Sequence, residues 1–251
     1  MVKLLATAAL LAAGCEAALS DNGGNGNVDA NGSGSNQIDA PTQQQIDAPP
    51  ACANGRKLFL NFDGVTVTQG TPSDATQNRV SWMSNANATM PAYHTGVTGR
   101  VAEIASITNG VRSRLAATPI ELVTTRPASG PYVMVVLGGT GGQIGTPYTY
   151  ATNEHDCGDT VKSDVGWIGD LPDVDYVPDL VPGTLGWGVG LNGTNDPAGC
   201  MCGWANGCTE DAAAACTLSA SIASTTSSGN TTCANQNPQN EIAALTTGFC
   251  Q

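Results

Sequence analysis

A chain of 251 residues with 9 lysines and arginines against 21 aspartates and glutamates, net charge −12, has the wrong sign for a nucleic-acid partner, whose phosphates are held by clustered cations. Charged residues make up 12% and aromatics 5%, so the surface is acidic but thinly charged. The stretch after position 50, about 200 residues, is long enough to bury a proper core, and one globular domain over residues 51–251 is expected.

The chain opens with Lys3, an apolar run from Leu4 to Ala13, and the small residues Ala12-Ala13-Gly14 before Cys15. That run is too short to span a bilayer and reads as a secretory signal over residues 1–14. A cysteine directly after small residues distinguishes a bacterial lipoprotein signal, because its thiol takes a diacylglyceryl group before cleavage. Cys15 is therefore the predicted site of lipidation and the membrane the predicted partner. Ala12 stands where leucine is usual, with Leu11 one step further out, and an ordinary signal peptide cut nearby is the competing reading.

Assigning one of the 9 cysteines to lipid leaves an even set, which in an exported chain points to disulfides. The candidates are Cys52, Cys157, Cys200, Cys202, Cys208, Cys216, Cys233 and Cys250. Most crowd into a cysteine-rich part over about residues 200–251, expected to be loop-rich and stapled. Cys52 and Cys157 lie outside that cluster, which predicts that they pair with each other.

Residues 16 to 50 are Asn, Gly, Asp, Ser, Gln and Pro with almost nothing apolar, and contain the near-repeat Gln37-Ile38-Asp39-Ala40-Pro41 and Gln45-Ile46-Asp47-Ala48-Pro49. Such a segment cannot offset its ordering entropy by burial. Residues 15–50 are read as a lipidated cysteine followed by a flexible tether, whose length points to an outer-membrane lipoprotein facing the periplasm or the exterior.

Alternation of Leu58, Leu60 and Phe62 with Lys57, Phe59 and Asn61 predicts a first strand ending at the turn Asp63-Gly64. Residues 66 to 92 are polar and poorly periodic. Val97, Val101, Ile104, Ile107, Val111 and Leu115 fall at steps of three and four and predict an amphipathic helix, weakened at Gly110 and left at Pro119. Ile120 to Thr124 is a second strand, and the apolar run Tyr132 to Leu137 suits a central one. Gly138 to Gly145 has neither dinucleotide-fingerprint nor P-loop spacing and reads as a loop. Val161 to Gly169 is predicted as an edge strand. The carboxylates between Asp170 and Asp179 are read as a solvated acidic loop, since the glycine and terminal glutamate of a calcium loop are out of register.

The region from Val181 to Thr194 contains no histidine, carboxylate or thiol, and Gly183, Gly186, Gly188 and Gly190 make it a poor autonomous helix. Its apolar and glycine positions nevertheless resemble the active-site helix of zincin and metzincin-type zinc metallopeptidases, whose pattern runs H-E-x-G-H-x-x-G-L-x-H. Leu185 and Gly186 match the apolar-glycine pair, Gly190 and Leu191 match, and Thr194 follows as in the His-Thr often found there. Gly183, Thr184, Trp187 and Gly193 stand where the first histidine, the glutamate and the other two histidines would be. The succession of strand, helix, two strands, edge strand and this helix is also similar to that group, as is the phrasing around Leu58 to Gly64 and Val123 to Pro127. The resemblance covers residues 56–251 and implies an α+β fold with a zincin-like mixed sheet, an amphipathic helix and a remnant active-site helix.

What the resemblance implies about chemistry is negative. Such catalysis needs two histidines one helical turn apart to hold zinc and a glutamate between them to take a proton from the zinc-bound water. Glycine has no side chain, threonine is no carboxylate base, and an indole at Trp187 would fill the metal cavity. His94 and His155 are the chain's only histidines, so no three-histidine site exists. A mixed site of His155, Asp156 and a cysteine is the remaining metal scheme, outweighed by the expectation that exported cysteines are oxidised. His94 is expected in a surface loop. No Gly-x-Ser-x-Gly elbow is present.

Three readings follow. The first is an envelope-anchored lipoprotein carrying a catalytically inactive metallopeptidase-like domain, without cofactor or metal, whose role is binding or structural. An extended peptide added to the edge strand near Val161 to Gly169, or a protein ligand, is its expected partner. The second is an active secreted hydrolase with substituted metal ligands. The third is a disulfide-stapled lipoprotein of another fold, in which Gly183 to Leu191 would run as a loop.

Overall fold

The computed structural model describes residues 49–50, 52–202, 215–225, 233–234 and 236–251, all within one compact unit spanning Ile46–Gln251. The predicted signal segment, Cys15, the tether up to residue 48 and Cys208 lie outside the described residues.

The fold is α+β. In chain order it consists of β1 (Lys57–Asn61), β2 (Val65–Gln69), β3 (Arg79–Val80), β4 (Asn87–Met90), α1 (Arg100–Arg114), β5 (Glu121–Val123), β6 (Tyr132–Leu137), α2 (Gly141–Ile144), β7 (Ala151–Thr152), β8 (Val165–Ile168), α3 (Val177–Gly188) and α4 (Glu241–Phe249). The main sheet has the order β5-β1-β6-β8-β7. β1 pairs in parallel with β5 and β6, β8 pairs in parallel with β6, and β7 closes the sheet antiparallel to β8. A smaller sheet, β3-β2-β4, is built from residues whose sequence shows little periodicity.

Side-chain alternation sorts the core into two layers. Leu58, Leu60, Val133, Val135, Leu137 and Ile168 face the helices, packing with Ile107, Val111, Val181 and Leu185. Phe59, Tyr132, Met134, Val136, Val165 and Trp167 face the smaller sheet, against Val67, Val80 and Met90. β6 is therefore buried on both faces, which is why its sequence is a continuous apolar run without alternation.

Several expectations are corrected. The edge strand predicted over Val161 to Gly169 is β8, an interior strand between β6 and β7; two residues of β7 take the edge. β8 has the burial of an interior strand because both of its neighbours bond to it, a fact no local pattern contains. Gly138 to Gly145 includes the short helix α2, closed by reciprocal Thr140 and Gln143 capping bonds. α1 starts at Arg100, so Val97 precedes it, while Val101 lies in its first turn but off the buried stripe; they are 49% and 81% exposed. Gly110 is explained by close helix packing: a Cβ there would stand 2.7 Å from Pro178 Cγ, so the missing side chain lets α1 approach α3.

The predicted Cys52–Cys157 pairing is overturned. Cys52 is bonded to Cys250, Cys157 to Cys233 and Cys200 to Cys216, while Cys202 is also disulfide-bonded. The reason lies in the path of α4, which returns to the start of β1. The Arg56 amide donates to Phe249 O at 2.8 Å, and the Arg56 side chain donates to Gly248 O at 2.8 Å. Arg56 is 2% exposed, and its guanidinium is matched by both Asp159 oxygens at 2.7 Å. Removal of either partner would leave a buried charge.

Candidate functional site

The singled-out segment forms helix. α3 begins with Val177 and Pro178, a residue well suited to the first helical turn, and buries Val177, Val181 and Leu185 against the sheet. The helix ends at Gly188. Two residues later Gly190 adopts φ +83°, where a Cβ would stand 2.8 Å from Asp156 O and 3.1 Å from Cys157 Cα. Glycine serves here both a left-handed turn and a close backbone approach. The turn sends Leu191 into the core and Asn192 and Gly193 towards the cysteine-rich tail.

Each motif position is occupied structurally. A Cβ on Gly183 would lie 2.8 Å from the Cys200 carbonyl oxygen, so the segment around Cys200 covers this point of the helix. Thr184 is 1% exposed; its hydroxyl donates to Leu180 O at 2.8 Å, and its methyl group fills the space left by Gly166. Trp187 is half-buried and packs against the helix-side core. Gly193 O accepts from the Thr225 amide at 2.8 Å. Met201 occupies the space beside Gly186. No side-chain donor atom at positions 183, 187 or 193 can hold zinc by imidazole, and Thr184 spends its hydroxyl proton inside its own helix. The zinc that the resemblance implies does not fit these residues.

Asn192 anchors the turn to the tail. Its side chain donates to Cys233 O at 3.0 Å and accepts from the Cys233 amide at 2.8 Å, while Gln239 bonds the Asn192 backbone at both ends. This clamp places Cys233 beside the β7–β8 loop, where His155 Nε2 lies 3.2 Å from Cys233 Sγ. His155 Nε2 or Nδ1, Cys157 Sγ and Cys233 Sγ lie within 4.8 Å of one another.

Asp156 does not join that group. Its carboxylate accepts from the Thr160 hydroxyl at 3.0 Å and the Val161 amide at 2.7 Å, shaping its own loop. The acidic loop disperses in the same way: Asp170 faces His94, Asp173 caps the Asp175 amide, and Asp179 pairs with Arg114 and accepts from the Cys216 amide. Its carboxylates form no common calcium cradle, and Asp179 is part of α3. His94 lies in a loop as expected, its ring nitrogens 2.7 Å from Glu103 and 2.8 Å from Asp170.

Two features escape sequence reading. Asp164, at the start of β8, is 1% exposed, and its Oδ1 has no hydrogen-bond partner. Burial pushes its carboxyl up to about 8, Arg56 opposing and Asp156, Asp159 and Glu154 adding to the rise. Glu241, at the start of α4, is likewise raised by burial, although it accepts from the Ser219 amide. No local pattern marks either residue as buried. Comparison with protein-family models, curated proteins and solved structures finds no match.

Proposed function

We propose that this chain is an envelope lipoprotein, anchored through Cys15, whose domain over residues 51–251 is a catalytically inactive relative in form of the zincin-type metallopeptidases, with a binding or structural role. The observation that carries the reading is the geometry of α3: the remnant motif is helical and ends in a left-handed glycine turn at Gly190, yet Gly183 is covered by the Cys200 carbonyl and Gly193 offers no ligand atom. The chain order β1, α1, β5, β6, β7, β8 and then α3 supports it as well, with β7 at the edge and β8, the segment expected there, in the interior. The helical state of residues 177–188 counts against a fold in which the segment is a loop. Among the described residues no helix is long and apolar enough to cross a membrane.

The ligand class this reading favours is an extended peptide laid along the outer side of β7, one of the two edge strands of the main sheet. An active hydrolase with substituted ligands draws on one observation, His155 beside Cys157 and Cys233, but both sulfurs are spent in a disulfide.

The test is elemental analysis of the oxidised, purified protein beside a peptide-library cleavage assay. The expected result is no stoichiometric zinc and no chelator-sensitive cleavage; finding both together would overturn the inactive reading. For the anchor, Cys15→Ser is expected to abolish incorporation of labelled fatty acid and release the protein from the membrane fraction.

A further inference from the structure

The β7–β8 loop and the cysteine-rich tail bring together three atoms of zinc-binding type that are independent of the motif positions on α3. Cys157 is exposed, Cys233 is 6% exposed and His155 is half-buried. We infer that reduction of the Cys157–Cys233 disulfide creates a site for a soft or borderline divalent cation, Zn²⁺ above all, held by His155 and the two thiolates.

The distances carry the inference. Tetrahedral zinc with Zn–S near 2.3 Å and Zn–N near 2.0–2.1 Å has a nitrogen-to-sulfur edge of roughly 3.5 Å and a sulfur-to-sulfur edge of roughly 3.8 Å. His155 Nε2 already stands 3.2 Å from Cys233 Sγ. The two sulfurs, 2.03 Å apart when bonded, need only separate by side-chain rotation, since their Cα atoms are 5.1 Å apart.

The backbone is held by bonds that do not involve the disulfide. Asn192 clamps the Cys233 amide and carbonyl. On the other side, the Gly158 and Asp159 amides donate to Asp156 O at 2.7 and 3.1 Å, and the Asp156 carboxylate ties down Thr160 and Val161. Both cysteines therefore keep their places when the sulfur bond opens. Three protein ligands leave a fourth position for water, on the side where Cys157 meets solvent.

The chemistry balances with an external dithiol as reductant. The dithiol loses two electrons and two protons and closes its own disulfide, while Cys157–Cys233 becomes two thiols. Zn²⁺ then displaces both thiol protons to solvent, and His155 contributes the lone pair of a neutral ring. The site is thus a metal site in reducing surroundings and a disulfide in oxidising ones.

The test uses the full chain, treated with limiting dithiothreitol and desalted anaerobically, with opened disulfides mapped by alkylation and mass spectrometry. Zn²⁺ uptake is then read by competition with a chromophoric chelator. The expected result is one Zn²⁺ per reduced chain beyond that taken by the equally reduced Cys157→Ser, Cys233→Ser double variant, no such uptake by the oxidised chain, and at least a roughly tenfold loss of affinity in His155→Ala. Zinc is also expected to protect Cys157 and Cys233 of the unmutated protein from alkylation, a readout that needs no variant to fold. Equal uptake by the double variant, uptake indifferent to His155, or no selective protection of these two cysteines would each overturn the inference. Zinc already bound by the oxidised chain would instead count against the inactive reading of α3, so the two failures are distinguishable.

Discussion

Replacing Gly183 by alanine reverses sign according to what covers α3, which makes it a sensitive probe of that helix face. In an exposed helix interior the change is worth about 1 kcal/mol of stabilisation from helix propensity. Here the new Cβ would lie 2.8 Å from the Cys200 carbonyl oxygen. That atom is backbone, and its segment is fixed by the Cys200–Cys216 disulfide and by the Cys200 amide donating to Thr217 O at 3.1 Å. Forcing it aside is an overpacking cost of about 1–3 kcal/mol. The net expectation is destabilisation by up to about 2 kcal/mol, a fall in Tm of roughly 2–4 °C per kcal/mol for a domain of this size. The assay is thermal or denaturant unfolding with disulfides intact, beside Gly142→Ala in α2, where a Cβ meets nothing within 4 Å. A Gly183→Ala protein more stable than the parent, by the roughly 1 kcal/mol that propensity alone gives, would mean that the helix face is open, and the argument for a covered site would fail.

Two further substitutions test the surrounding structure. Because the Asp164 carboxyl is pushed up to about 8 from its ordinary 3.8, the folded state holds that proton more tightly than the unfolded chain. The associated stability is complete below about pH 4 and is lost as pH rises through about 8, by on the order of 6 kcal/mol at most. Asp164→Asn is therefore expected to match the parent near pH 4 and exceed it at pH 9 in denaturant midpoint, and parallel pH curves would refute the assignment. Gly190→Ala combines a left-handed backbone with contact at 2.8 Å to Asp156 O, and should cost about 2–4 kcal/mol. Its unfolding midpoint measures this, and an unchanged midpoint would remove the structural reason for glycine at the turn.

Local pattern was enough to identify β1, the central strand β6 and the body of α1, because each depends on side-chain spacing along a few turns or pleats; the helix through Gly183 was indicated only by the resemblance, since its glycines make it a poor autonomous helix. It was also enough to show that positions 183, 184, 187 and 193 lack zinc chemistry, since that follows from residue type alone. Oxidation of the described cysteines was expected from their number and from reading the first residues as a secretory signal. The partners within the disulfides, the identity of the edge strand, the burial of Asp164 and the meeting of His155 with Cys233 were decided by tertiary structure. Each joins residues far apart in the chain, as in the separation of 198 between Cys52 and Cys250 or 76 between Cys157 and Cys233. Such contacts depend on where α4 and the β7–β8 loop are carried by packing, and periodicity over a few residues contains no record of that path.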